Sequence, residues 1–312
     1  MLISVCIPCY RSEKTLPAVV EGIVREFALH PAYEYELILV NDGSPDDTFR
    51  VIRALCAQNA HIKGVDLSRN YGQNLALCAA YAQIQGDMAV FMDDDGQHPA
   101  AGIFMLLDKL QEGYDVAIAK FPHKKHSLFK RVTSWGHRTL AEWTGTCPKG
   151  ISYSSFTAWS KVAIEAAKDY RSPFASIGAY LMHVTTRFVN VEMPHNDRLE
   201  GESGYTFKKL IALWLTSFTS FSIVPLRAAS VMGAICAGIG FIWGFILVIR
   251  KLIHPEVAAG YTSMMTLLLL IGGIIMLILG LIGEYIGRIY MTISDMPQYT
   301  VREIVGGEKT TA

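Results

Sequence analysis

The chain has 312 residues, 51% of them hydrophobic and 18% charged, and its 28 basic residues balance 28 acidic ones. Zero net charge excludes the basic surface that nucleic-acid binding normally needs, so no nucleic-acid partner is expected. The apolar excess is too large for an ordinary soluble protein and lies mostly beyond Arg227, so the average describes two unlike parts.

In chain order, Leu2–Ile7 is a short strand-type run ended by Pro8, with no basic stretch ahead of it, so no cleavable signal peptide is expected. Thr15–Ala28 has helical apolar spacing, and Leu37–Val40 is a continuous buried-type strand closed by Asn41-Asp42-Gly43. Asp46–Gln58 reads as a helix whose N-terminus favours Asp46 and Asp47. Val65–Leu67, Met88–Met92 and Val116–Ala119 are further strands. Between them fall a helix at Asn74–Ile84 and one opened by Pro99 and running to Glu112. This alternation predicts a mostly parallel sheet with helices on both faces, which binds ligands at the carboxyl ends of its strands. Those ends carry Pro8-Cys9-Tyr10, Asn41-Asp42-Gly43, Ser68-Arg69-Asn70 and Asp93-Asp94-Asp95.

The six cysteines, Cys6, Cys9, Cys56, Cys78, Cys147 and Cys236, include one CxxC spacing but no second pair to complete a zinc site. Cys6 and Cys9 flank Pro8 in an apolar run and read as the end of a buried strand. Free thiols fit a reducing compartment, which puts the soluble part in the cytoplasm.

From Phe207 the pattern changes. Phe207, Leu210, Ile211, Trp214, Phe218 and Phe221 recur at helical spacing with Lys208 and Lys209 off the stripe. This predicts an amphipathic helix in the membrane interface, the alternative being a core helix of the soluble domain. Ala228–Ile249 and Thr266–Ile286 are each long and apolar enough to cross a bilayer, which needs about 20 residues. Glycines at 233, 238, 240 and 244 in the first, and at 272, 273, 280 and 283 in the second, allow close helix packing. Arg227 and Arg288 flank one side and Arg250 and Lys251 the other, so loop charge does not orient the pair.

The strongest local signal is Phe91-Met92-Asp93-Asp94-Asp95-Gly96-Gln97-His98-Pro99, a strand running into carboxylates. In extended backbone Asp93 and Asp95 point one way and Asp94 the other. Two carboxylates on one face repel unless a cation sits between them. A hard divalent ion bridged to substrate phosphates is the natural occupant, with Gln97 adding an amide oxygen. The plain alternative is a solvated acidic loop. Asp42, in Asn41-Asp42-Gly43-Ser44, can accept from a base N–H or a ribose hydroxyl, or merely serve a turn.

Taken together, Ile7-Pro8-Cys9-Tyr10, Asn41-Asp42-Gly43-Ser44, Leu67-Ser68-Arg69-Asn70-Tyr71-Gly72-Gln73 and Asp93-Asp94-Asp95-Gly96-Gln97-His98-Pro99 resemble glycosyltransferase family 2 over Leu2 to about Arg198. Gly280-Leu281-Ile282-Gly283-Glu284-Tyr285-Ile286-Gly287-Arg288 narrows the resemblance to the polyprenyl-phosphate glycosyltransferases. The wording Arg69-Asn70-Tyr71-Gly72-Gln73 is most similar to the undecaprenyl-phosphate transferases for 4-amino-arabinose derivatives. The resemblance implies a GT-A fold, Rossmann-like with a mostly parallel sheet, over residues 1–202. It also implies an interface segment at 203–226, a two-helix transmembrane hairpin at 227–288 and a cytoplasmic tail at 289–312. By the resemblance Asp42 holds the nucleoside of a UDP- or GDP-sugar, Arg69 lies near its diphosphate, and Pro8, Tyr10 and Asp94 belong to the same donor-binding set. Asp93, Asp95 and Gln97 hold Mg2+ or Mn2+. Lys130, Arg131 and Ser134 on one helical stretch, with Arg198, grip the phosphate of the polyprenyl acceptor; the alternative for each cation is a solvated surface charge.

The implied reaction is inverting transfer of one sugar to undecaprenyl phosphate at the cytoplasmic membrane, supplying a lipid-linked sugar for cell-envelope glycans. A homo-oligomer is left open. There are departures. Ile151–Thr157 stands where many relatives carry Gly-Asp-Phe-Arg, no Asp occurs between Asp115 and Asp169, and Arg11-Ser12 replaces the usual Asn-Glu. A processive polysaccharide synthase would share the domain, but the Gln-x-x-Arg-Trp motif is absent. A non-catalytic membrane scaffold is the other alternative, and the retained Asp93, Asp95 and Gln97 speak against it.

Overall fold

The structure is a computed structural model, which describes residues 1–121, 150–152, 154–169, 177–194, 260–294 and 297–307, with scattered helical positions between 231 and 253. It divides into two units, residues 1–206 with 297–312, and 207–296.

The first unit is built on an eight-stranded sheet in the order β7-β5-β6-β4-β1-β2-β3-β8. The strands are β1 (Leu2–Cys9), β2 (Glu34–Asn41), β3 (Ile62–Leu67), β4 (Met88–Phe91), β5 (Val116–Lys120), β6 (Thr157–Trp159), β7 (Phe188–Glu192) and β8 (Val301–Gly306). Helices α1 (Leu16–Ala28), α2 (Thr48–Gln58), α3 (Gln73–Tyr81), α4 (Gly102–Gln111), α5 (Lys161–Lys168) and α6 (Ile177–Val184) cover it. The alternation expected from the sequence is present: β1, β2, β3 and β4 are parallel neighbours. β6 runs antiparallel to β4 and β5, and β8 antiparallel to β3.

Side chains alternate across a strand, so β1 feeds two cores. Ile3, Val5, Ile7 and Cys9 join the layer under α1, α2 and α4, while Cys6 joins the layer under α3, α5 and α6. Cys6 and Cys9 therefore lie on opposite faces of one buried strand, and burial pushes both thiols well above their ordinary pKa. Pro8 is tolerated in β1 because it lies past Cys6, the last residue paired with β4. Two helix starts fall later than the sequence suggests. Asp46 and Asp47 precede α2, where the Asp46 carboxylate accepts the Thr48 amide and hydroxyl. Pro99 opens a turn whose carbonyl accepts the Gly102 amide, and α4 begins there.

β8 was not anticipated: the reading that makes 289–312 a tail has no place for it. Residues 301–306 pair with β3 from Lys63 to Leu67, so a segment beyond the apolar helix completes the sheet edge.

In the second unit, α7 (Tyr261–Ile293) is 33 residues long and contains the expected span Thr266–Ile286. Its stretch Ile271–Ile293 has a mean hydropathy of 1.7 with none of it buried, the one helix among the described residues long and apolar enough to cross a membrane. Of the other expected span, Ala228–Ile249, only scattered helical positions are described. A side-chain carbon on Gly233 would lie 3.6 Å from Ile278 Cδ1, so a helical glycine of that stretch faces α7. The expected interface helix Phe207–Phe221 lies outside the described residues.

Because β8 occupies the hydrogen-bonding edge of β3, a chain ending at Met296 is expected to unfold at lower temperature. Amide exchange should rise at residues 63–67 and stay unchanged in β1 and β5. Equal protection of β3 in both chains would show that β8 adds nothing to that edge.

Candidate active site

β1, β2, β3 and β4 deliver four loops to one edge, and strand order reverses between β1 and β4, the place where open α/β sheets leave a crevice. Asp94 spans it. Its Oδ2 accepts the Tyr10 amide at 3.1 Å and the Ser12 hydroxyl. Burial raises its pKa to about 6 and the neighbouring Asp93 adds to the rise, against the lowering by those two hydrogen bonds. The loop it holds contains Arg11 at φ 59, a left-handed conformation costly for a residue with a side chain. The Arg11 amide donates to Ser44 Oγ at 3.1 Å and the Ser12 amide to Thr48 Oγ1 at 2.9 Å, which hold that conformation.

Asp42 is buried and clamps a neighbouring loop. Its Oδ1 accepts the Tyr71 amide at 2.7 Å and its Oδ2 the Gly72 amide at 2.8 Å. Burial raises its pKa, and the two amides oppose the rise. Gly43 is required beside it: φ is +57, and a Cβ there would lie 2.8 Å from Arg69 Cα. The clamped loop presents Arg69, whose guanidinium lies 4.8 Å over the Tyr71 ring. Hydrogen bonds from Ser68 and Thr300 lower the Tyr71 phenol to about 8, with a smaller contribution from Arg69.

Asp93 faces away from Asp94, as alternation requires. Its Oδ1 accepts Gln73 Nε2 at 2.6 Å and its Oδ2 accepts Ser155 Oγ at 2.6 Å. Asp95 Oδ1 accepts the Gln97 amide at 3.0 Å, folding the loop so that Asp95 and Gln97 share a turn. Among the described residues no three His, Cys, Asp or Glu side chains stand close enough to hold a metal by themselves. Asp93, Asp95 and Gln97 nevertheless offer oxygen donors only, the set that a hard divalent cation takes when substrate phosphates fill the remaining positions. Each Asp93 oxygen keeps a lone-pair direction beyond the donor it already accepts.

Three residues of this cluster, His98, Gln73 and Ser155, were not singled out from sequence, although each lies in a quoted segment. His98 is buried, and its ring stacks on Phe156 at 4.8 Å and on Phe121 at 5.7 Å. Its Nδ1 accepts the Asp93 amide at 3.0 Å, which places the proton of the neutral ring on Nε2, 3.8 Å from Asp93 Oδ2. Ser155 reaches Asp93 because its loop is pinned behind: Asn190 Oδ1 accepts the Ser152 amide at 2.7 Å and Asn190 Nδ2 donates to the Ser152 carbonyl at 3.0 Å. Pro8, Tyr10, Asp42, Arg69, Asp93, Asp94, Asp95 and Gln97 thus all lie on or just beyond the four strand ends. Lys130, Arg131, Ser134 and Arg198 lie outside the described residues.

Residues 4–165 match the Glycosyl transferase family 2 model, and residues 224–289 match the model of the GtrB C-terminal hairpin. The chain belongs to glycosyltransferase family 2 and is a glycosyltransferase. It is 32% identical, over 99% of its length and 95% of the relative's, to an undecaprenyl-phosphate 4-deoxy-4-formamido-L-arabinose transferase of Photorhabdus laumondii. It is also 31% identical, over 98% of its length and 94% of the relative's, to the uncharacterized glycosyltransferase YkcC of Bacillus subtilis. Among solved structures its fold resembles glucosyl-3-phosphoglycerate synthase from Mycobacterium tuberculosis. The TM-score is 0.52 at 21% identity, over 70% of this chain and 78% of that one.

His98→Phe keeps a ring in the stack but leaves the Asp93 amide without its acceptor, an expected cost of about 1–3 kcal/mol. His98→Asn retains an acceptor near the Nδ1 position and should lose less. Thermal unfolding of the two variants checks the order; equal losses would mean that the ring matters only for packing.

Proposed function

We infer that the protein transfers a single sugar from a UDP- or GDP-sugar to a polyprenyl phosphate of the undecaprenyl type, at the cytoplasmic face of the inner membrane. The observation that carries this reading is one chain joining a carboxylate-rich crevice at a parallel sheet edge to a long apolar helix with none of its membrane-length stretch buried. The Photorhabdus relative, named for transfer to undecaprenyl phosphate, supports it over the full length. The match to a C-terminal hairpin supports two crossings, which return residues 297–307 to the side of the catalytic unit.

The acceptor is a phosphate monoester, already ionised near neutral pH because its second pKa is about 6. No strong base is needed to make it a nucleophile. That fits Ile151–Thr157, where a hydroxyl, Ser155, stands beside Asp93 in the absence of the Asp that many relatives carry. The residues have to position two substrates and steady a leaving diphosphate. Asp93, Asp95 and Gln97 would hold Mg2+ or Mn2+, which when bound offsets the charge on that diphosphate. Arg69, held out on the loop clamped by Asp42, contributes a second positive group. Tyr10 and Asp94 line the crevice between β1 and β4, where the nucleoside would lie. Lys130, Arg131, Ser134 and Arg198 are assigned to the acceptor phosphate. In-line displacement by that phosphate inverts the anomeric carbon, and the membrane segments confine the enzyme to the plane of its lipid substrate.

Membranes holding the full chain, supplied with radiolabelled UDP- and GDP-sugars and undecaprenyl phosphate, should carry label into the lipid fraction for one donor. Asp95→Ala should lower that transfer by at least about a hundredfold and abolish Mn2+-dependent nucleotide binding without shifting thermal unfolding. Near-normal turnover in this variant would remove the metal assignment.

The acceptor site is tested separately. A charge-assisted contact to phosphate contributes about 1.5–3 kcal/mol, so Lys130→Ala should raise the Michaelis constant for undecaprenyl phosphate roughly ten- to a hundredfold. Nucleotide affinity should stay unchanged, with smaller effects for Arg131→Ala and the smallest for Ser134→Ala. Lost nucleotide binding with intact acceptor use would move these residues to the diphosphate.

A further inference from the structure

Asp66 is buried at the carboxyl end of β3, and neither the resemblance nor the proposed reaction gives it a role. A buried carboxylate needs donors or a counter-charge. Asp66 has both: its Oδ1 accepts Asn41 Nδ2 at 2.7 Å, and its Oδ2 lies 3.3 Å from Arg302 Nη1. The counter-charge comes from β8, beyond the membrane helix in sequence. Arg302 is also the residue that breaks the β3–β8 register. Asp66 pairs with Glu303 and Leu67 with Val301, which leaves Arg302 as the extra residue of a bulge. Bulges re-aim side chains. Here Arg302 Nη2 donates to the Ser68 carbonyl at 2.8 Å, and the Ser68 amide donates to the Thr300 carbonyl at 2.9 Å.

Both contacts bear on the loop that carries Arg69. Ser68 is its first residue; Tyr71 and Gly72, at its end, are held by Asp42. Asn41, which Asp66 orients, precedes Asp42 and accepts the Ser44 amide at 3.3 Å. One guanidinium therefore fixes the start of the Arg69 loop directly and the Asn41–Ser44 turn through Asp66. We propose that Arg302 is a positioning residue for donor binding, so that the strand returning from the membrane helix sets the affinity for the nucleotide. This rests on the transferase reading above. Arg302 touches no reacting atom: its effect falls on how Arg69 and the Asp42 clamp are presented. The ion pair is half in solvent, since the Arg302 side chain is 62% exposed, so its effect is moderate.

The test uses the full-length chain in detergent, with Mn2+ and radiolabelled UDP or GDP as the probes. Arg302→Met should weaken binding of the nucleotide that the wild type binds by about tenfold. Arg302→Lys, which keeps the charge but cannot fork to both oxygens, should weaken it about threefold. In Asp66→Asn/Arg302→Met the uncompensated charge is gone and Asn41 keeps an acceptor, but the contact to the Ser68 carbonyl stays lost, so affinity should recover only in part, to about threefold below wild type. In turnover with the active donor, Arg302→Met should raise the donor Michaelis constant and leave kcat and the Michaelis constant for undecaprenyl phosphate unchanged. A merely structural role would not give that split. Wild-type affinity in Arg302→Met, full wild-type affinity in the double variant, or equal losses toward donor and acceptor would each overturn the proposal. A wild-type chain that binds neither nucleotide would remove the transferase reading, and this inference with it.

Discussion

A carboxylate that leaves water must be met by donors or by positive charge, and the carboxyl-end edge of this sheet is organised around that demand. Asp42 is met by two backbone amides, Asp94 by an amide and a hydroxyl, Asp93 by Gln73 and Ser155, and Asp66 by Asn41 and Arg302. In each case the partner comes from a different loop or strand. The bonds that stabilise each charge are therefore the bonds that tie the strand-end loops to one another. The crevice is defined because these four carboxylates are satisfied across loops and strands, whereas Asp95 is met within its own turn.

The same economy gives the edge its electrostatic character. Asp42, Asp66, Asp93, Asp94 and Asp95 lie along it, and most of their partners are neutral. Arg11, Arg69 and Arg302 are among the cations described beside them. A nucleotide diphosphate approaching such an edge brings further negative charge. It can bind only where that charge is offset, which is the physical case for a divalent cation at Asp93 and Asp95 and for the outward presentation of Arg69. Neutral partners suit this purpose, because hydroxyls and amides hold a carboxylate in place without cancelling the charge that a metal would use.

Most of this architecture was legible in the sequence because it is periodic and local. Buried strands such as Leu37–Val40 and amphipathic helices such as Leu16–Ala28 announce themselves by spacing, and the strand ends followed from them. What was missed is short or distant. β6 has three residues, too few for a period to register, and β7 is a mixed apolar and polar run in which Val191 alone is buried. β8 lies more than 230 residues beyond β3, the strand it pairs with, with the apolar helix in between. Asp42 and His98 stood in recognised motifs. Their partners, the Tyr71 and Gly72 amides and the Asp93 amide, are backbone groups, which carry no residue identity for a sequence reading to find.

The return of the chain into the sheet also bears on how membrane and chemistry are connected. A tail would leave the catalytic unit free to fold without what precedes it. A strand of that unit cannot, since the residues before and after the apolar segments must meet in one sheet. Both ends of the membrane unit are thereby fixed to the same unit, residues 1–206 before it and residues 297–312 after it. Folding the catalytic sheet to completion requires that the apolar helix has already been made. Synthesis of the apolar segment and completion of the sheet are thus linked by chain connectivity alone.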